Sequence, residues 1–73
     1  MTEKALMALA AALAVSIPAV ATAYAQARIG SSGAETIAEK PETAGTIIIL
    51  EALPETMVIL GFVVAIMVIM KMA

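Results

Sequence analysis

Two long apolar runs separated by a polar stretch organise this chain. From Ala5 to Ala27 no Asp, Glu, Lys or Arg interrupts 23 successive residues. A helix of that length is roughly 34 Å long at 1.5 Å per residue, enough to cross a hydrocarbon core of roughly 30 Å. From Gly45 to Met70 the only charges in 26 residues are Glu51 and Glu55, and Lys71 follows as an interfacial anchor. The stretch between them carries Arg28, Glu35, Glu39, Lys40 and Glu42, with Gly30, Gly33 and Pro41 as breakers. Pro41 has no N–H to donate and biases Lys40 away from helical dihedrals, which places the turn at Glu39–Glu42 and lets residues 30–38 continue the first helix. The pattern predicts one all-α membrane hairpin over residues 1–73. Helix 1 covers 5–38 with its membrane span at about 5–27, a polar loop covers 39–43, and helix 2 covers 44–71.

Composition narrows the chemistry. The chain is 63% hydrophobic and 14% charged, against roughly 45–50% apolar in soluble domains, so a monomeric soluble fold is excluded. With no Cys and no His there are no disulfides, thiol nucleophiles, imidazole bases or usual zinc sets. A net charge of −2 with four scattered basic residues leaves no footprint for nucleic acid. There is no phosphate-binding loop, so no nucleotide chemistry is expected on this chain, and no cofactor is expected either. Basic residues do not orient the hairpin, because Arg28 and Lys40 in the connector are matched by Lys4 and Lys71 at the ends. Lys4, the apolar run and the triplets Ala21-Thr22-Ala23 and Ala25-Gln26-Ala27 imitate a secretory signal peptide. The expectation is nevertheless a retained first span.

An ionisable group deep in a membrane helix costs at least roughly 2.5–3.5 kcal/mol on insertion scales and marks a functional position by default. Glu55 is the clearest case, ten residues from Gly45 and fifteen from Met70. Residues equally far from the turn lie at similar depth. Gln26 is fifteen residues before Pro41 and Glu55 fourteen after it, so the hairpin gathers a carboxylate, an amide and the Thr56 hydroxyl at one level. Such a group holds a proton by hydrogen bonds or surrounds a small hard cation with oxygens. The blander readings are a permanently neutral Glu55 and a Gln26 that merely bridges helices. Pro54 removes a helical N–H just before Glu55 and frees a carbonyl, whereas Pro18 reads as a tolerated kink.

Helix 1 is lined with small residues, Ala8, Ala12 and Ser16 and then Ala19, Ala23, Ala27 and Ser31, while helix 2 is rich in Ile and Val. Small stripes allow close approach. A slim helix beside a bulky one makes a wedge, and identical wedges joined head to tail close into an oligomeric ring. Glu51 lies four residues before Glu55, roughly 6 Å away along the axis. Reflected through the turn it is level with Ser31, three residues from Arg28. The expectation is an Arg28–Glu51 pair near the cytoplasmic edge of the membrane, within one subunit or across neighbours. The alternative is a second titratable group coupled to Glu55.

The string Ala52-Leu53-Pro54-Glu55-Thr56, followed by Gly61-Phe62-Val63-Val64-Ala65, resembles the second helix of the rotor-ring proteolipid, the c-type or K-type ring component, of archaeal-type and vacuolar-type ATP synthases. Ile37-Ala38-Glu39-Lys40-Pro41-Glu42 is similar to that family's polar loop. The likeness covers roughly residues 16–70. It implies that Glu55 is the essential ion-carrying carboxylate, with Gln26, Thr56 and the Leu53 carbonyl where sodium-type sites place their ligands. It further implies a ring of identical copies in the cell membrane, contacting lipid and a stator subunit that supplies an arginine. The loop would be cytoplasmic and meet the central-stalk subunits. Three departures stand out: Ala replaces a glycine-rich stripe, Met57 replaces a Gln, and Leu60 stands where an aromatic is common. Gln26 and Thr56 favour Na+, Met57 and Leu60 favour H+, and the ion stays open. The competing class is a small structural or pore-forming, holin-like hairpin that does not rotate.

Overall fold

Alanine-rich sequence, with little side-chain entropy to lose, forms a long first helix. The structure, a computed structural model, describes residues 2–72. α1 spans Glu3–Glu39; the Thr2 side chain accepts from the Ala5 N–H at 3.0 Å and caps its start. It ends where Lys40, extended at φ −134° and ψ 83°, precedes Pro41. A 3-10 turn follows at Pro41–Thr43, closed by the Thr43 hydroxyl and N–H, which both donate to the Lys40 carbonyl at 2.7 and 3.0 Å. α2 spans Ala44–Ala52 and α3 spans Glu55–Met72. The second arm of the hairpin is therefore two helices in line, broken at Leu53–Pro54 rather than bent as one.

The arms lie side by side in a rod 55 × 18 × 9 Å. Each is long and apolar enough to cross a bilayer. Their seam runs along Ala11, Pro18, Thr22 and Gly33 of α1, with Gly61 and Ala65 of α3 opposite. Two close approaches set the spacing. Gly33 faces Ile47, where a Cβ would overlap the Ile side chain. Gly61 lies on the Ala14 carbonyl oxygen, and a Cβ there would overlap that atom and touch Pro18 Cγ. Pro18 has no N–H for the Ala14 carbonyl, so the proline that frees this oxygen also borders the glycine that covers it. Pro18 is thus part of the seam as well as the point where continuous α1 lacks one helical hydrogen bond.

Little is buried inside one chain. Ala11 and Ala65 are its buried apolar residues among those described, while Ile17, Val20, Ile48, Leu60 and Met70 are more than 60% exposed. Ala8, Ala12, Ser16, Ala23, Ala27 and Ser31 all face outward. The small stripe anticipated on helix 1 therefore lies outside the seam, apart from half-buried Ala19. Surface this apolar requires lipid or further protein around it.

Candidate ion-binding site

Pro54 creates the site by subtraction. Without its N–H the Leu50 carbonyl loses its helical partner, and α2 stops at Ala52. Leu53 N–H makes the last α-helical bond, to Ile49 at 3.2 Å, and the chain then crosses the break in tighter turns, Thr56 N–H donating to Leu53 at 3.2 Å and Met57 N–H to Pro54 at 3.1 Å. The Thr56 hydroxyl adds a bond to the Leu53 carbonyl at 2.8 Å. Glu55 opens α3 immediately after this break.

Helix α1 meets the break with two side chains one turn apart. Gln26 Nε2 donates to the Glu51 carbonyl at 3.1 Å and to Glu55 Oε2 at 3.2 Å. Thr22 Oγ1 donates to the Pro54 carbonyl at 2.7 Å. The level-matching argument from the turn thus brings Gln26 to Glu55, whereas Thr56 and the Leu53 carbonyl bond each other at the break and make no hydrogen bond to Gln26 or the Glu55 carboxyl among the described residues. Glu55 and Thr56 are exposed along the single chain, and Met57 and Leu60 also face outward. Thr22 was not anticipated; its signal is the four-residue spacing to Gln26, which puts both on the seam face.

Glu51 and Arg28 do not meet within the subunit. Arg28 donates to the Tyr24 hydroxyl at 3.1 Å, with its guanidinium carbon 5.7 Å from the Tyr24 ring centre. The Glu51 carboxyl turns into the seam instead: Oε1 is buried without a hydrogen-bond partner, and Oε2 lies 2.7 Å from the point a Cβ on Gly30 would occupy. The reason is rotation around α1. Arg28 follows Gln26 by two residues, about 200° around the helix, so it leaves the face that Gln26 shares with the second arm. Level depth is satisfied and facing is not.

The family of the ATP synthase C subunit matches this sequence over residues 9–68. The chain belongs to that family. It is 41% identical over 61 residues to the A-type ATP synthase subunit K of Methanocaldococcus jannaschii, an alignment that covers 84% of this chain and 28% of that protein. The chain thus spans less than a third of that relative's length. No solved structure matches it. As a member of this family with two apolar helices it is a membrane protein.

Proposed function

We propose that this chain is the ion-carrying subunit of a rotor ring, with Glu55 as the carrier of H+ or Na+. The observation that carries the reading is the Gln26–Glu55 bond at the proline break, which gives a mid-span carboxyl a partner from the other arm. Copies of the hairpin pack through the outward small residues of α1 and the exposed Ile, Val and Met of α2 and α3. The ring lies in the cell membrane with its loop on the cytoplasmic side, against the central stalk.

The mechanism is electrostatic. Neutralised by a proton or a bound ion, Glu55 passes lipid as the ring turns; as a bare carboxylate it does so only at a large cost. Loading and release therefore occur at a polar stator surface, where an arginine of another subunit receives the carboxylate. Each charge moved across 100 mV supplies about 2.3 kcal/mol, and the ring adds one such step per subunit. Nucleotide chemistry belongs to the partners.

Substituting Glu55→Gln is the direct test. The ring should assemble at normal yield and ion-driven ATP synthesis should vanish. Carbodiimide should label Glu55 in preference to Glu51 in the native protein. Coupled synthesis by the variant would refute the carrier assignment, and preferential labelling of Glu51 would reverse the roles of the two carboxyls.

A further inference from the structure

We infer that Thr22 is a positioning residue of the ion site, acting on Glu55 through the carbonyl of Pro54. The inference rests on the reading of Glu55 as the carrier and adds to it a residue whose side chain does not touch the ion.

Thr22 is the buried polar residue of the chain among those described, 3% exposed, and its hydroxyl is spent on one bond across the seam, 2.7 Å to the Pro54 oxygen. A hydroxyl enclosed between two apolar helices is stable only when bonded. Its acceptor is the residue that breaks the second arm. Pro54 O otherwise accepts the Met57 N–H at 3.1 Å, in a turn tighter than an α-helix. Gln26, one turn along α1, takes the Glu51 carbonyl on the other side of the same break. The two ends of the break are therefore each tied to α1, at Glu51 by an amide and at Pro54 by a hydroxyl.

Glu55 is the next residue after Pro54, so whatever fixes the Pro54 carbonyl fixes the peptide from which the Glu55 side chain departs. Without the Thr22 bond, the first turn of α3 is held against α1 less firmly at this level, although the Gly61 approach still fixes the seam further along, and the Gln26–Glu55 contact is the first to loosen. Thr22 thus sets how much of the time the carboxyl is held at Gln26. Its methyl group fills the seam, but the claim concerns the hydroxyl.

The experiment compares Thr22→Ser, Thr22→Val and Thr22→Ala in the intact membrane complex, reading the rate of carbodiimide labelling at Glu55 and ion-driven ATP synthesis, with Glu55→Gln as control. Thr22→Ser keeps the donor and should match the native protein. Thr22→Val keeps the shape and loses the donor; labelling should rise and synthesis fall by about three- to tenfold, the worth of one net hydrogen bond. Should Thr22→Val rings fail to assemble, the Ser and Ala variants, which differ by one oxygen on an alanine-rich helix, carry the comparison. Native behaviour of Thr22→Val overturns the inference, as does equal impairment of Thr22→Ser and Thr22→Val, which would make the role one of shape. A Glu55→Gln control that remains coupled would instead remove the carrier reading itself, whatever the Thr22 variants do.

Discussion

One amide group joins the two arms of the hairpin at the level of its mid-span carboxyl: Gln26 Nε2 is 3.2 Å from Glu55 Oε2 and 3.1 Å from the Glu51 carbonyl oxygen. The amide thus serves the carboxyl and the backbone of α2 just before the Pro54 break together. Replacing Gln26 with Leu leaves both acceptors without this donor at partial burial. A hydrogen bond to a charged group is worth about 1.5–3 kcal/mol, so Gln26→Leu should slow ion-driven ATP synthesis by roughly 10- to 100-fold while leaving the ring assembled. A loss smaller than about twofold would reduce Gln26 to a bridge between helices.

The choice between H+ and Na+ turns on how many oxygens the site can offer a cation. The Thr56 hydroxyl donates to the Leu53 carbonyl, and Gln26 offers nitrogen to Glu55. Met57 and Leu60, both exposed, add no oxygen. A sodium ion needs several oxygens turned inward, whereas a proton needs one carboxyl with hydrogen-bonding neighbours. We therefore expect millimolar sodium to leave carbodiimide labelling of Glu55 unchanged near neutral pH. Clear protection by sodium, absent with potassium, would assign the site to sodium.

The hairpin, its turn at Pro41 and the meeting of Gln26 with Glu55 were legible in the sequence because they depend on depth, and depth follows from counting residues along two apolar helices. Rotation about each helix was less legible. Within one subunit Arg28 does not face Glu51, since it follows Gln26 by two residues and so points to nearly the opposite side of α1; pairing across neighbouring copies is decided by the double variant of the two residues. The break at Leu53–Pro54 was expected as a kink because proline chemistry is local. Thr22 was hidden for the opposite reason: its bond is made to the carbonyl of Pro54, 32 residues away. The Ala14–Gly61 approach was invisible likewise, because a glycine in an apolar helix announces neither its partner nor its distance.

Gly61 provides the test of the seam. A Cβ there overlaps the Ala14 oxygen, which is backbone and has no side-chain freedom to yield. Gly61→Ala should force the arms apart and cost about 1–3 kcal/mol, in the range of overpacked cores. Gly61→Val should cost more. Assembled ring recovered from membranes, and its melting temperature, should fall in that order, whereas Gly45→Ala, with open space around it, should change neither. Equal tolerance at both glycines would mean that the arms do not approach at Gly61.

Glu51 is the residue whose substitution should help. Its Oε1 is enclosed by its own hairpin without a partner, and Arg28 is engaged with Tyr24 on another face. Removing an unsatisfied buried polar atom is neutral or favourable when the replacement fills the same space. Glu51→Leu should therefore leave the melting temperature of the assembled ring unchanged or raise it. Arg28→Met loses the contact with Tyr24, worth about 0.5–1 kcal/mol at an exposed position. Because the two side chains share no contact, the double variant should show the sum of the single effects within about 0.5 kcal/mol. Strong coupling, with each single change harmful and the pair of changes mild, would show that Arg28 and Glu51 meet across neighbouring copies after assembly. Additive effects with Glu51→Leu also sparing coupled synthesis would leave Glu55 as the carboxyl on which transport depends.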